Sequence, residues 1–129
     1  MKILHTALMV FDLAKSLDFY VNKLGFEEEF RVVSPDKKST KVFLFLEKRG
    51  HQIELIHDSN RKEPYQVGNG LAHIAFKVDD IDELYKEWAA KGVHFSQEPH
   101  HMPGAPMNMK FAFITDPDGY PFELIEEKS

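Results

Sequence analysis

The chain has 129 residues, which suits one compact domain with a real core and excludes two ordinary ones. Hydrophobic residues at 43% and charged residues at 29% place it among soluble globular chains and exclude disorder. A net charge of −5 with scattered Lys and Arg leaves no basic stripe for nucleic acid, and the absence of Cys removes disulfides, thiolate ligands and a thiol nucleophile.

The opening MKILHTALMVF carries a His inside its apolar run and no small-residue cleavage site, so it does not read as a signal peptide. No apolar run approaches the roughly 18 residues that span a bilayer, and cytoplasmic residence is the expectation. Leu4 to Phe11 is aliphatic and aromatic enough for a strand. Asp12 then suits a helix N-cap, Leu13, Leu17, Tyr20, Val21 and Leu24 recur at helical spacing, and Gly25 stands where a left-handed terminal residue belongs. Three short strands are expected next, with a hairpin at Lys48-Arg49-Gly50, and Gly68-Asn69-Gly70 reads as a connector.

The same order then returns. Ala72 to Val78 predicts a strand, Asp80 a cap, Ile81, Leu84, Tyr85 and Trp88 a helix, and Gly92 its end. Three more strands follow, with a type I turn at Asp116-Pro117-Asp118-Gly119. The run from Pro99 to Asn108, with three Pro and one Gly, is expected to be irregular and mobile.

This return is a repeat at the level of residues. HTALMVFDL from His5 aligns with HIAFKVDDI from His73, and RGHQIELI aligns with DGYPFELI, which places Glu54 against Glu123. The expected architecture is α+β: one domain over 1–129 made of two βαβββ modules, about 1–66 and 71–129, with mixed sheets curled around a cleft.

Strand alternation sorts the neighbours of these residues. Leu4, Thr6, Leu8 and Val10 share a packing face, with His5, Ala7 and Met9 opposite. Ile74, Phe76 and Val78 pack, with His73, Ala75 and Lys77 opposite; Ile53 and Leu55 flank Glu54, as Phe122 and Leu124 flank Glu123. Each His and each Glu therefore lies on the face away from the core. Taken singly, an outward His or Glu simply meets water. Repetition at matched places in both halves is what singles them out. Two imidazoles and two carboxylates make a four-ligand N/O set for a divalent ion with room for waters. His51, His57, His94, His100 and His101 have no His partner in the other half and read as surface or loop residues, while Glu126, Glu127 and Glu27-Glu28-Glu29 read as solvated faces.

At LHT with DLAKSLDFYVNKLGF, at IEL around Glu54, at HIAFKVDD and at DPDGYPFELIEEK, the sequence resembles the glyoxalase I (lactoylglutathione lyase) family of the vicinal oxygen chelate superfamily. The resemblance covers nearly the whole chain. It implies a lyase that isomerises a thiol–methylglyoxal hemithioacetal to an S-lactoyl thioester by proton transfer through an ene-diolate, a detoxification of methylglyoxal. It implies His5, Glu54, His73 and Glu123 as ligands of one divalent metal per protomer, nickel or cobalt favoured over zinc, in a homodimer that shares its sites between chains. Glu123 would be the catalytic base and Glu54 its mirror for the other substrate epimer. The family commonly has Arg four residues after the first His and Asn four after the first Glu, both for the thiol's γ-glutamyl end; Met9 and Asp58 stand there in this chain, and Lys77 faces the same side as His73. On that ground glutathione is expected to be a poor co-substrate. The competing readings are another metalloenzyme of the superfamily, epimerase-like, and a metal-free small-molecule-binding or resistance module.

Overall fold

The computed structural model describes residues 1–128 and divides into two compact units, Met1–Gln66 and Val67 onward. Unit one runs β1 (His5–Val10), α1 (Leu13–Leu17), a π-helical turn (Asp18–Lys23), β2 (Glu27–Val33), β3 (Ser39–Phe45) and β4 (Gln52–Asp58). Unit two runs β5 (Ile74–Val78), α2 (Ile81–Ala90), β6 (His94–His100), β7 (Met109–Thr115) and β8 (Pro121–Glu127). Each is a four-stranded mixed sheet, ordered β1-β4-β3-β2 and β5-β8-β7-β6, and neither closes into a barrel. The class is α+β, built from two βαβββ modules.

The helix in each unit is what makes the sheet mixed. Crossing over from the first strand, it delivers the chain to the far edge, β2 or β6, and two antiparallel hairpins return it until the last strand lies parallel to the first. Both crossovers start on an Asp cap: Asp12 accepts from the Lys15 N–H and Asp80 from the Glu83 N–H, each at 3.1 Å. The buried core of unit one is Leu8, Val10, Val42, Leu44, Ile53 and Leu55, with Tyr20 edge-on to Phe19 and Phe26. In unit two Ile81, Trp88, Ala112, Ile114, Phe122 and Leu124 play that part.

Four readings of the elements and the core need correction. The first helix is regular for one turn only, since Asp18–Lys23 relaxes into π geometry. Leu4 is 65% exposed and does not join the packing face. Pro99 and His100 belong to β6, not to an irregular loop; β6 is a sheet edge, where a residue lacking an N–H is tolerated. Glu126 is buried, not solvated. Alternation along β8 puts it on the packing face with Phe122 and Leu124, and its carboxylate accepts from the Ile81 N–H at 2.9 Å, at the first residue of α2.

The β7–β8 turn is built on Asp116, whose carboxylate accepts from the Asp118 and Tyr120 N–H groups while its carbonyl accepts from Gly119, which adopts φ +93°. In the matching β3–β4 turn the positive φ falls on Arg49 instead, and Gly50 serves for space: a Cβ there would lie 2.9 Å from the Glu47 carbonyl oxygen.

Glu126→Ala is expected to lower stability by roughly 1.5–3 kcal/mol, as a charge-assisted bond to a helix N-terminus is lost in the interior. Urea unfolding of the metal-free protein checks this, and an unchanged midpoint would show that the carboxylate contributes nothing there.

Candidate metal centre

Register decides where the candidate ligands meet. In unit one His5 pairs with Gln52 and Ala7 with Glu54, so His5 and Glu54 stand on one face of adjacent parallel strands, one pleat apart. Their Nε2 and Oε1 atoms are 3.2 Å apart. In unit two Ala75 pairs with Glu123, His73 directly precedes β5, and the same two atoms are again 3.2 Å apart. Both carboxylates are buried, while the imidazole side chains are 33% and 35% exposed. Each pair thus holds a carboxylate inside and turns an imidazole toward solvent.

The spacing fits a metal. Two adjacent donors at about 2.1 Å from one ion lie about 3 Å from each other, so each pair has the separation of neighbouring ligands. Nitrogen and carboxylate oxygen are donors that first-row divalent ions accept. A buried carboxylate is also costly unless a cation or a donor meets it, and the imidazole is its polar partner in both units.

The remaining candidates are near these pairs in different degrees. Met9 pairs with Ile56 and shares the His5 face; its thioether offers no strong donor. Asp58 ends β4 on the Glu54 face, and its carboxylate accepts from the Asn60 N–H at 2.9 Å; it lines a hollow with Asn60, Arg61, Lys62 and Glu63. Lys77 pairs with Ile125 on the His73 face and is exposed.

Three residues on these faces escaped the sequence reading. Phe43 and Phe113 pair directly with Glu54 and Glu123. Lys41 pairs with Ile56 and so stands in the same row as Met9. All three come from β3 or β7, whose register against its neighbour is a long-range matter that alternation alone does not supply. Among the other histidines, His51 shares a 2.7 Å hydrogen bond with the Thr6 hydroxyl and His101 Nδ1 lies 2.8 Å from the Met109 carbonyl oxygen. His57 is not a plain surface residue: it is half-buried on the Ile53–Leu55 face, with its Nδ1 in the interior.

Residues 2–124 match the Glyoxalase/Bleomycin resistance protein/Dioxygenase superfamily. The chain belongs to that superfamily. A lactoylglutathione lyase of Neisseria meningitidis serogroup A is 37% identical, over 100% of this chain and 93% of its own length. The glyoxalase I of Zea mays superposes with a TM-score of 0.89 at 30% identity; the alignment covers 99% of this chain, which spans only 45% of the maize one. The trypanothione-dependent glyoxalase I of Leishmania major gives a TM-score of 0.83 at 30% identity, over 98% of this chain and 87% of its own. Within the superfamily the chain is thus of the glyoxalase I family, an enzyme of the lyase class.

That family implies a divalent metal, and one other acidic cluster has to be weighed for it. Carboxylate oxygens of Asp80, Asp82 and Glu126 lie within 4.8 Å of one another. Each already has work in the fold. Asp80 and Glu126 cap α2, Lys110 meets Asp82 at 2.6 Å, and Lys128 meets Glu126 at 3.4 Å. The hydrogen bond to Asp82 raises the Lys110 ammonium above its ordinary range, so the cluster carries its own cation. The two His–Glu pairs are the better donor set. No described helix is long and apolar enough to cross a membrane.

Proposed function

We propose that this chain is a metal-dependent glyoxalase I-type isomerase, converting a thiol–methylglyoxal hemithioacetal to an S-lactoyl thioester. The repeated pair carries the reading: a buried carboxylate 3.2 Å from a part-exposed imidazole, on equivalent strands of two modules. His5, Glu54, His73 and Glu123 would together hold one divalent ion per protomer, as a four-ligand N/O set leaves two positions for water in an octahedral shell; nickel or cobalt before zinc is what the resemblance to the short bacterial glyoxalase I enzymes implies. When bound, the ion supplies positive charge beside the substrate oxygens and so acidifies the neighbouring C–H.

The chain's own residues handle the proton. Glu123 takes it from one carbon and returns it to the next, through an ene-diolate, with no net change in protonation. Burial of this carboxylate between Ala75 and Phe113 on the neighbouring strands keeps bulk water from intercepting the transfer. Glu54, between Ala7 and Phe43, would do the same for the opposite substrate epimer. Glu123→Gln keeps the shape and removes the base, so kcat should fall by at least about a hundredfold while urea unfolding shifts little. Activity near that of the parent would overturn the assignment.

The site would be completed in a homodimer, His5 and Glu54 of one protomer meeting the partner's second-module pair, in the cytoplasm. Light scattering of the metal-loaded protein at micromolar concentration should give twice 15.0 kDa. A 15.0 kDa species with metal bound would mean that the pairs meet within one chain.

Thiol choice varies among the relatives, the Leishmania major enzyme being described as trypanothione-dependent. Met9 offers no hydrogen-bond donor and Asp58 presents a negative charge, which disfavours the carboxylates of glutathione, while Lys41 and Lys77 are the cations on the two ligand faces. Two lost charge-assisted contacts weaken binding on the order of a hundredfold. The KM for the glutathione adduct is therefore expected to be high relative to that of adducts with thiols that carry fewer carboxylates. Steady-state kinetics across a thiol panel decide this; a kcat/KM for the glutathione adduct near the diffusional ceiling would contradict it.

A further inference from the structure

We infer that Phe43 and Phe113 are positioning residues for the two ligand imidazoles, a role that rests on the metal-site reading above. The His5 and Phe43 ring centroids are 5.7 Å apart at 86°, and those of His73 and Phe113 are 5.6 Å apart at 70°. These are edge-to-face contacts, in which the positive rim of one ring meets the negative face of the other. They occur once in each module and between equivalent residues. Phe43 pairs with Glu54 and Phe113 with Glu123, so in both modules the Phe flanks the Glu on one side and the His reaches it from the other.

The imidazoles need such a contact. A ligating His is ordinarily oriented by a hydrogen bond from its second nitrogen to a carboxylate or carbonyl. Among the described residues neither His5 nor His73 has a partner for Nδ1, and a third of each side chain is open to solvent. The ring contact is then what restrains rotation about the last side-chain bond and keeps Nε2 toward the carboxylate.

The sheet edges show that the contact is built. Glu29 is an extra residue where β2 passes β3, and Ser96 is an extra residue where β6 passes β7, so each edge strand has a β-bulge beside the Phe. The first bulge brings Phe30 into register with Phe43, and the two rings stack at 4.5 Å and 17°. The second brings Gln97 into register with Phe113. Phe43 therefore has an aromatic buttress that Phe113 does not have among the described residues, and the His5 ring should be the better held of the two.

Metal affinity by chelator competition and ring relaxation in the metal-free protein, read on imidazole-labelled His, test this together. Phe43→Leu and Phe113→Leu keep an apolar side chain without a ring, and each should weaken nickel binding by roughly three- to tenfold and mobilise its own His only. Phe43→Tyr and Phe113→Tyr should restore both readouts. Phe30→Ala, at a residue 47% exposed and so of little consequence for folding, should mobilise His5 and leave His73 alone. Leu variants that bind nickel as tightly as the parent with unchanged ring relaxation overturn the inference. If His5→Ala and His73→Ala also leave nickel binding intact, it is the metal-site reading that fails; if they abolish it, the positioning role alone is wrong.

Discussion

Parallel pairing of the first and last strands is the constraint on which the rest depends. It is the only arrangement in the module that sets a His near the start of one strand beside a Glu in the middle of another with both on the same face. In unit one this is His5 opposite Gln52 with Glu54 one pleat on, and in unit two Ala75 opposite Glu123 with His73 one pleat back. The helix therefore serves this arrangement from a distance, since without a crossover the last strand could not lie parallel to the first. Asp12 and Asp80, which start the crossovers, and the Asp116 turn, which launches β8, serve the same geometry from a distance.

The faces of β1, β4, β5 and β8 were legible in the sequence because alternation is a local rule, and Glu54, His73 and Glu123 each have apolar neighbours on both sides. Duplication did the rest, by showing that an outward His and Glu recur. Glu126 was misread because it was judged by residue type, although the alternation that places Phe122 and Leu124 inside places it inside as well. Pro99 was misread because proline signals a loop unless the strand is known to be an edge. Phe43, Phe113 and Lys41 were out of reach: their neighbours depend on the register of β3 and β7, and one irregularity in β2 and two in β6 shift the register at the sheet edges again.

Electrostatics separates the two clusters that could attract a cation. At Asp80, Asp82 and Glu126 the negative charge is met by helix N–H groups and by Lys110 and Lys128, which are part of the fold. At the His–Glu pairs each buried carboxylate has, among the described residues, only an imidazole beside it as a polar partner, and that ring is a third open to solvent. The acidic cluster thus serves a helix, whereas the two His–Glu pairs are the ones proposed to take a metal.

The most direct test is to locate the ion in a crystal of nickel-loaded protein by anomalous scattering. The account predicts one ion per chain, bonded to His5 Nε2 and Glu54 from one module and to His73 Nε2 and Glu123 from another. An ion bound at Asp80, Asp82 and Glu126, or one held by a single His–Glu pair with the other pair left free, would contradict it.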